Sequence, residues 1–208
     1  MFTCRRPRPS AQRGVTLIVV LLILVVVTVL GIGGAQIALL GERSTRYDRD
    51  YLVASQAAEA ALMDAEFDIR GPVDPAASGV QRVGQFNQTN LGIFVPGCGN
   101  SGITRGLCQA YADNVKPVWA SVDFLDESAT APSVAFGTFT GRSFDAGPTG
   151  IRPARAPRYI IELIDDAAPG GNAAGGKVAK MHRITAIGFG PRTDIQVVMQ
   201  IALRKEKG

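Results

Sequence analysis

No charged residue occurs from Val15 to Gly41, and this uncharged stretch restricts the fold more than any other feature. Its first half consists of Val, Leu and Ile, interrupted only by Thr16 and Thr28. A helix that crosses a bilayer needs about 20 apolar residues. The stretch therefore predicts one membrane-spanning helix near the N-terminus.

The charge distribution predicts which side of a membrane each end of the chain occupies. The formal net charge is +4, and the excess comes from Arg5, Arg6, Arg8 and Arg13, because the remaining charges balance. Basic residues that precede a spanning helix usually stay in the cytoplasm, so we expect the C-terminal part to be exported. That part has no basic stripe with interleaved aromatic residues, which argues against a nucleic-acid-binding surface.

The helix is expected to continue beyond the membrane. Residues 42–50 are densely charged, and residues 51–67 are amphipathic and rich in alanine, the best helix former. Gly71 and Pro72 form a stop signal. One helix would then run from about residue 16 to residue 70. One side of this amphipathic part is traced by Leu52, Ser55, Glu59, Leu62 and Glu66, with Ala57, Ala58, Ala60 and Ala61 around them.

Three C-terminal segments predict an antiparallel meander, because turn-rich connections separate them and the residues of the last segment mostly alternate between apolar and polar. They are Arg158–Ile164, His182–Gly188 and Asp194–Arg204, with Leu91–Val95 and Val118–Phe124 as weaker candidate strands. One face of this sheet should pack on the amphipathic helix. The predicted fold class is α+β, with a long N-terminal helix, transmembrane in its first half and amphipathic in its second, packed on a small antiparallel sheet head.

The cysteines favour one disulfide. Cys98 and Cys108 stand close together in a glycine-rich segment, whereas Cys4 lies in the basic N-terminal region. In an exported domain such a pair usually forms a bond, and two free thiols are the alternative. A zinc site would need four ligands, and His182 is the only histidine, so we expect no metal site.

A glycine-rich segment between two of the predicted strands resembles the start of a phosphate-binding loop. It runs from Gly171 to Lys177, but Val178 stands where a magnesium-binding Ser or Thr would be needed. A phosphate-binding loop also joins a strand to a helix, whereas this segment is expected to join two strands. We interpret it as a hairpin loop and expect no nucleotide or other cofactor.

No residue set points to catalysis. His182 falls within a predicted strand without an evident nucleophile or orienting acid, and we expect it on the surface or at an edge. Asp165 and Asp166 are interpreted as turn formers rather than as an acid and base pair. Trp119 is expected to be a core residue, with a partner-binding role as the alternative.

The residues around the start of the apolar stretch resemble the processing site of type IV prepilins. Arg13-Gly14 is followed by Val15-Thr16-Leu17-Ile18, as in a short basic leader cut after its glycine. Taken with the blocks at 14–22, 56–62, 64–66, 106–108, 117–119 and 183–186, the chain is similar to the PilX-type minor pilins. The resemblance implies a leader at 1–14, a helix at 15–70 and a head at 71–208, with cleavage between Gly14 and Val15 and methylation of the Val15 amine.

The same resemblance implies an assembly role without enzymatic activity. The expected partners are other minor pilins and the prepilin peptidase, with a tip adhesin as a further candidate and the inner membrane as the location before assembly. The head would be periplasmic and later part of the pilus, which serves twitching motility, adhesion or aggregation. Val19 occupies the fifth mature position, where most pilins have a glutamate, and we interpret this departure as a sign of a place at the pilus tip.

Two alternatives explain the apolar stretch differently. A secretory signal peptide could be cut after Gly34 or Ala35, where small residues cluster. An uncleaved signal anchor could hold a periplasmic binding or sensor domain. We favour the pilin interpretation because the stretch continues directly into an amphipathic helix, which a signal peptide does not require.

Overall fold

The computed structural model describes residues 15–71, 81–87, 91–110, 116–144, 150–166 and 180–205. The chain divides into two units, Met1–Tyr47 and Asp48–Gly208. The described part of the first unit is helical, and the second combines helix with a β-sheet. This arrangement confirms the predicted α+β class. The predicted leader lies outside the described residues.

Helix α1 spans Val15–Arg70, within one residue of the predicted start and end. It ends at Gly71, which has a φ of 80° and donates its backbone N–H to the carbonyl of Phe67 at 2.7 Å. A left-handed residue after the last turn is a frequent helix end, and glycine adopts it without steric cost. The local sequence therefore decides where α1 stops.

The second unit contains one six-stranded sheet. Its strands are β1 (Val95–Cys98), β2 (Leu107–Gln109), β3 (Val134–Ala135), β4 (Arg158–Asp165), β5 (Lys180–Phe189) and β6 (Gln196–Leu203). Their order across the sheet is β1-β2-β4-β5-β6, and β3 pairs with the start of β4. The strands β4, β5 and β6 are antiparallel neighbours, which confirms the predicted meander.

The remainder of the sheet differs from the predicted antiparallel head. β2 runs parallel to β4, and β1 runs parallel to β2, so the sheet is mixed. The weaker candidate strands were wrong, because Leu91–Ile93 and Val118–Ser121 are short 3₁₀ helices and β1 begins at Val95. Short apolar segments carry too little periodicity to separate strand from turn, and parallel pairing arises from long connections that leave no local sequence signal.

The face of α1 that packs on the sheet is formed mainly by alanines. Leu52 is 58% exposed and Glu59 is exposed, although Leu62 is buried. The contact is made instead by small residues: Ala54, Ala57, Ala58, Ala61 and Ala65. Opposite them stands Gly188 of β5, where an added Cβ would lie 2.1 Å from the backbone oxygen of Ala54. Helix and strand backbones are therefore nearly in contact, and larger side chains do not fit between them.

Apolar residues pack on both faces of the sheet. Between α1 and the sheet lie Ile69, Tyr159, Ile161, Ile184 and Ala186. The opposite face is covered around Ile160 and Phe189 by Val118, Phe124 and the disulfide cysteine Cys108. Trp119 is partly buried against this second cluster. The 3₁₀ segment at Val118–Ser121 thus closes the outer face of the sheet locally.

Two aspartates near the end of α1 are buried, and both bind parts of the chain that are distant in sequence. Asp68 is 1% exposed and accepts bonds from Arg82, whose Nε lies 2.9 Å from both of its carboxylate oxygens, and from the Tyr159 hydroxyl at 2.8 Å. Arg82 also donates through Nη1 to the carbonyls of Ile103 (2.9 Å) and Arg105 (2.6 Å). One buried ion pair therefore links α1, the segment around residue 82 and the loop before β2.

The second aspartate, Asp64, holds a different loop. It accepts a bond from the hydroxyl of Thr140 and another, at 2.7 Å, from the backbone N–H of Gly137. The guanidinium of Arg142 is 3.8 Å away. Burial raises the pKa of Asp64, and the Thr140 hydrogen bond opposes that rise. Carboxylates at the C-terminal end of a helix oppose the macrodipole, and these tertiary bonds explain why they are nevertheless found there.

We predict that Asp68→Ala strongly destabilises the head, because it leaves the Arg82 guanidinium buried without its counter-charge. Removing one partner of a buried pair costs about 3–5 kcal/mol. Denaturant unfolding followed by the fluorescence of Trp119, the only tryptophan, measures the effect. The control is Glu66→Ala, which removes a half-exposed partner 3.6 Å from Arg70 and should cost less than about 1 kcal/mol. Equal losses in the two variants would contradict this account.

Candidate functional site

The first candidate site is the apolar segment of α1 in the first unit. α1 is the one helix among the described residues that is long and apolar enough to cross a membrane. Its most apolar window of 18 residues has a mean hydropathy of 3.3, and none of that window is buried within the chain. Residues such as Leu17 and Ile37 are 75% and 72% exposed. A continuous apolar surface of this size needs a cover from lipid or from other protein helices.

The predicted processing site falls at the beginning of this helix. Val15 is the first helical residue and is 69% exposed, whereas Gly14 lies outside the described residues. Val19, four residues further along, is 48% exposed and remains within the apolar segment. The assignment of cleavage and methylation to Gly14 and Val15 stays a prediction from the sequence.

The glycines within this segment have no packing role inside the chain. α1 continues without interruption through Gly31, Gly33, Gly34 and Gly41. A Cβ added at any of them would meet nothing within 4 Å. Each glycine costs a helix about 1 kcal/mol relative to alanine, and no contact within the described chain offsets that cost. Small residues let neighbouring helices approach closely in membranes, so any benefit must come from contacts with other molecules.

The disulfide lies in the second unit, where β1 and β2 meet. The structure contains the bond between Cys98 and Cys108, whose Cα atoms are 4.1 Å apart. The two residues are direct partners in the pairing of β1 with β2. Cys108 is fully buried in the outer-face cluster, and Cys98 packs against it. The bond therefore fixes the short edge strand β1 to the rest of the sheet.

An open polar groove of about 460 Å³ crosses the outer face of β4 and β5, and Lys116 lines one of its sides. Glu162 and Arg183 face each other across the two strands, with both N–O distances at 2.9 Å. At the strand ends, Asp165 forms an ion pair with Lys180. Glu162 and Asp165 each form an ion pair with a basic side chain. A catalytic acid and base pair needs two groups whose pKa values are driven apart by their surroundings, and these ion pairs are instead structural.

The residues that the sequence analysis considered for catalysis occupy structural positions. Asp165 ends β4 rather than forming a turn, and Asp166 is buried and pairs with Arg204. His182 was expected on the surface but is only 6% exposed, with ring centroids 5.7 Å from both Phe86 and Phe94. Successive side chains of a strand point to opposite faces of the sheet. His182 therefore faces the helix and is buried, whereas Arg183 faces the groove.

His182 is neutral in the folded head. Its Nδ1 has no hydrogen-bond partner among the described residues. Burial in this aromatic site, with a smaller contribution from the charge of Lys205, lowers the pKa of His182 to about 4. Its ring contacts with Phe86 and Phe94 are those of a core residue.

The remaining motifs give no site in the described part of the chain. The glycine-rich segment from Gly171 to Lys177 lies outside the described residues, and its interpretation as a hairpin loop stays a prediction. Among the described residues there is no group of three or more His, Cys, Asp or Glu side chains that could hold a metal ion. The exposed apolar helix is therefore the feature that most needs a functional explanation.

Comparison with protein families explains that helix. Residues 13–62 match the model of the PilX N-terminal domain, and residues 104–205 match the C-terminal domain of the type IV pilus assembly protein PilX. The chain belongs to the PilX family of type IV pilus minor pilins. No curated protein and no solved structure matches the chain at the threshold of the searches. PilX proteins are structural components of the pilus.

The two PilX matches cover different parts of the structure. The N-terminal match covers the exposed segment and much of the alanine face, and the C-terminal match begins at residue 104, just before β2, and extends through β6. The burial of Asp64 and Asp68 and the contacts of Arg82 and Gly188 were not predicted from the sequence. Carboxylates on the alanine-rich part of α1 are the one sequence signal that could have indicated buried polar contacts. Their partners could not be identified, because they are distant in sequence.

We predict that the stability of the head falls as the pH is lowered from about 6.5 to about 4. In this range the unfolded chain protonates His182 and the folded chain does not, so protons favour unfolding. The full effect is about 3 kcal/mol and is complete below the folded pKa. The test measures the unfolding free energy of wild type and of His182→Leu across this pH range. The difference between the two curves reports the effect of the histidine alone. Asp64 is present in both proteins, and its raised pKa changes stability with pH in the opposite direction. Parallel curves for the two proteins would refute the prediction.

Proposed function

We propose that this PilX-family chain is a minor pilin that acts in the initiation of pilus assembly, as part of the tip complex. In this proposal residues 1–14 are a leader, the peptidase cuts between Gly14 and Val15, and the new amine is methylated. Residues 15–70 form the assembling helix and residues 71–208 the head. The protein acts by packing with other subunits and not by catalysis.

The observation that carries the proposal is the exposed apolar surface of α1. None of its most apolar window is buried, and the helix continues without a break into the alanine face that the head covers. Before assembly, lipid of the inner membrane would cover the exposed part, and in the pilus other pilin helices would do so. Because lipid tails and leucine side chains are similar environments, the transfer needs little free energy and depends on packing.

The tip position is supported by Val19. In most pilins the residue at this position is a glutamate that is thought to pair with the N-terminal amine of a neighbouring subunit. A subunit at the tip has no neighbour above it, and an unpaired carboxylate in hydrocarbon is costly. Valine avoids that cost, and its side chain is compatible with the continuous apolar surface around it.

The proposed partners follow from the family and from the position. They are other minor pilins, the prepilin peptidase and, as a further candidate, a tip adhesin. The head would be periplasmic while the subunit is in the inner membrane, and it would become part of the pilus afterwards. Pilus assembly then supports twitching motility, adhesion or aggregation.

We predict that the mature chain begins at Val15 and carries a methyl group only in cells that have the prepilin peptidase. The intact mass of the N-terminus, measured from cells with and without the peptidase, tests this. Gly14→Leu should abolish the cut, because the peptidase requires a glycine before it. Gly31→Leu is the matched control, since a side chain there meets nothing within 4 Å, and it should be processed normally.

Other outcomes of the same measurement would support the two alternatives. A chain that begins at Met1 in both strains would contradict the pilin processing and favour a signal-anchored binding or sensor domain. A chain that begins near Ala35 would indicate a cleaved signal peptide and an ordinary secreted domain.

We predict that Val19→Glu increases incorporation along the pilus shaft while initiation stays intact, because the new carboxylate can pair with a neighbouring amine. Immunogold labelling of sheared pili gives the position, and pilus number per cell gives initiation. Val20→Glu is the control, because it adds the same charge about 100° further around the helix, where that pairing is not available. If the wild-type subunit is distributed evenly along pili, the tip proposal is wrong.

A further inference from the structure

A group of aromatic residues lies at the surface of the second unit, beside the last turns of α1. Phe67 belongs to α1, and Phe136 and Phe144 lie in the segment that follows β3. All three are only partly buried, and the rings of Phe136 and Phe144 are 5.3 Å apart. Met63 is 52% exposed, and as a residue four positions before Phe67 it is its neighbour on the helix surface. Aromatic and methionine side chains are enriched at protein interfaces.

Arg142 packs against two of these rings. Its Cζ lies 4.6 Å from the centre of the Phe67 ring and 5.3 Å from that of the Phe136 ring. Stacking on rings engages the face of a guanidinium, whereas its hydrogen bonds leave from the edge. The side chain is 37% exposed, and in the described part of the chain its guanidinium donates no hydrogen bond. We call Met63, Phe67, Phe136, Arg142 and Phe144 the Arg142 surface.

The one described carboxylate within 4 Å of Arg142 is already engaged elsewhere. Asp64 is fully buried and accepts bonds from the Thr140 hydroxyl and the Gly137 N–H. One of its oxygens is 3.8 Å from Nη1 of Arg142, which is too far for a hydrogen bond. The bonds of Asp64 also hold the loop of Arg142 on α1. The guanidinium is thus fixed in advance by its loop and by the rings, which reduces the entropy lost on binding.

We propose that the Arg142 surface binds the head of a different pilus subunit, through an exposed Asp or Glu that has apolar neighbours. The partner's carboxylate accepts two N–H groups from the edge of the guanidinium, and the apolar neighbours cover the rings. Arginine within an aromatic surface is a frequent centre of binding energy at interfaces. The inference rests on the proposed assembly with other subunits, and it does not depend on the tip position.

The charge of Arg142 argues against a symmetric contact with a second copy of this chain. A two-fold axis through the surface would bring identical residues together, so two guanidinium groups would repel each other. A carboxylate on the partner removes this repulsion and uses the free N–H groups. Membership of the PilX family makes other pilus components the natural source of such a partner.

We predict that Arg142→Gln lowers the fraction of this subunit released with sheared pili by about tenfold, because hydrogen bonds between charged groups are lost. Immunoblots of the sheared and membrane fractions measure that fraction. Arg155→Gln is the matched control. Its side chain is 34% exposed and lies 3.7 Å from the Glu127 carboxylate, but no described aromatic ring is stacked on it. This variant should be released like wild type.

Two further measurements separate the possible causes of a loss. The unfolding midpoint followed by Trp119 fluorescence shows whether the head of Arg142→Gln remains folded, and the N-terminal mass shows whether the chain is processed at Val15. A wild-type chain that is absent from sheared pili would contradict the proposed pilin function. Wild type and Arg142→Gln released in equal amounts would overturn only the binding role of the Arg142 surface.

Photo-cross-linking in pilus-bearing cells identifies the partner. p-Benzoylphenylalanine incorporated in place of Phe144 should form an adduct with a different pilus subunit, within a few residues of an Asp or Glu, and Arg142→Gln should remove it. The control carries the same reagent in place of Gln196, which is exposed on β6 outside the Arg142 surface, and should not give this adduct. An adduct with a second copy, an adduct at a segment without an acidic residue, or no adduct would overturn the proposal.

A charge exchange then tests the contact itself. Arg142→Glu and replacement of the identified acidic residue by Arg should each reduce release with sheared pili on their own. The two changes together should restore release, because the charges are again opposite. This test also decides the case in which Arg142→Gln lowers the unfolding midpoint, since a merely unstable head cannot be rescued by a change in another subunit. The absence of recovery in the double variant would overturn the proposal.

Discussion

The close contact between α1 and β5 is the constraint on which the head depends. At Gly188 the strand approaches the helix backbone so closely that even a methyl group would clash with Ala54. This contact explains why the buried face of the helix is alanine and why larger residues such as Leu52 lie outside it. Alanines bury little apolar area, and the head therefore needs additional connections between the helix and its loops.

Those connections are polar and buried. Asp64 and Asp68 hold two separate loops onto the helix through hydrogen bonds and one buried ion pair. Buried ion pairs contribute less to stability than their geometry suggests, because both charges must lose water. A buried ion pair must, however, have all of its polar groups paired. The Arg82 guanidinium finds its partners Asp68, Ile103 and Arg105 only when its loop lies in this position, so the pair specifies where the loop packs. The helix whose first part is exposed and apolar is in this way also the scaffold of the head.

The two units differ in what covers the apolar side chains of α1. In the second unit the helix is covered by the chain itself, whereas in the first its apolar side chains and unpacked glycines are exposed. An isolated soluble chain would have no reason to keep such a surface, and a PilX minor pilin has one, because membrane and neighbouring helices supply the cover.

The sequence by itself determined the features that depend on local pattern. The uncharged run from Val15, the stop at Gly71, the three C-terminal strands and the nearby cysteines can each be read from a short segment. The tertiary structure alone decided the parallel pairing of β1 and β2, the choice of the alanine face and the burial of His182. These depend on residues far apart in the chain: Asp68 meets Arg82 and Tyr159, and Ala54 meets Gly188. The periodicity of a sequence shows that a helix or strand has two different faces. Only packing against another segment decides which of these faces is buried.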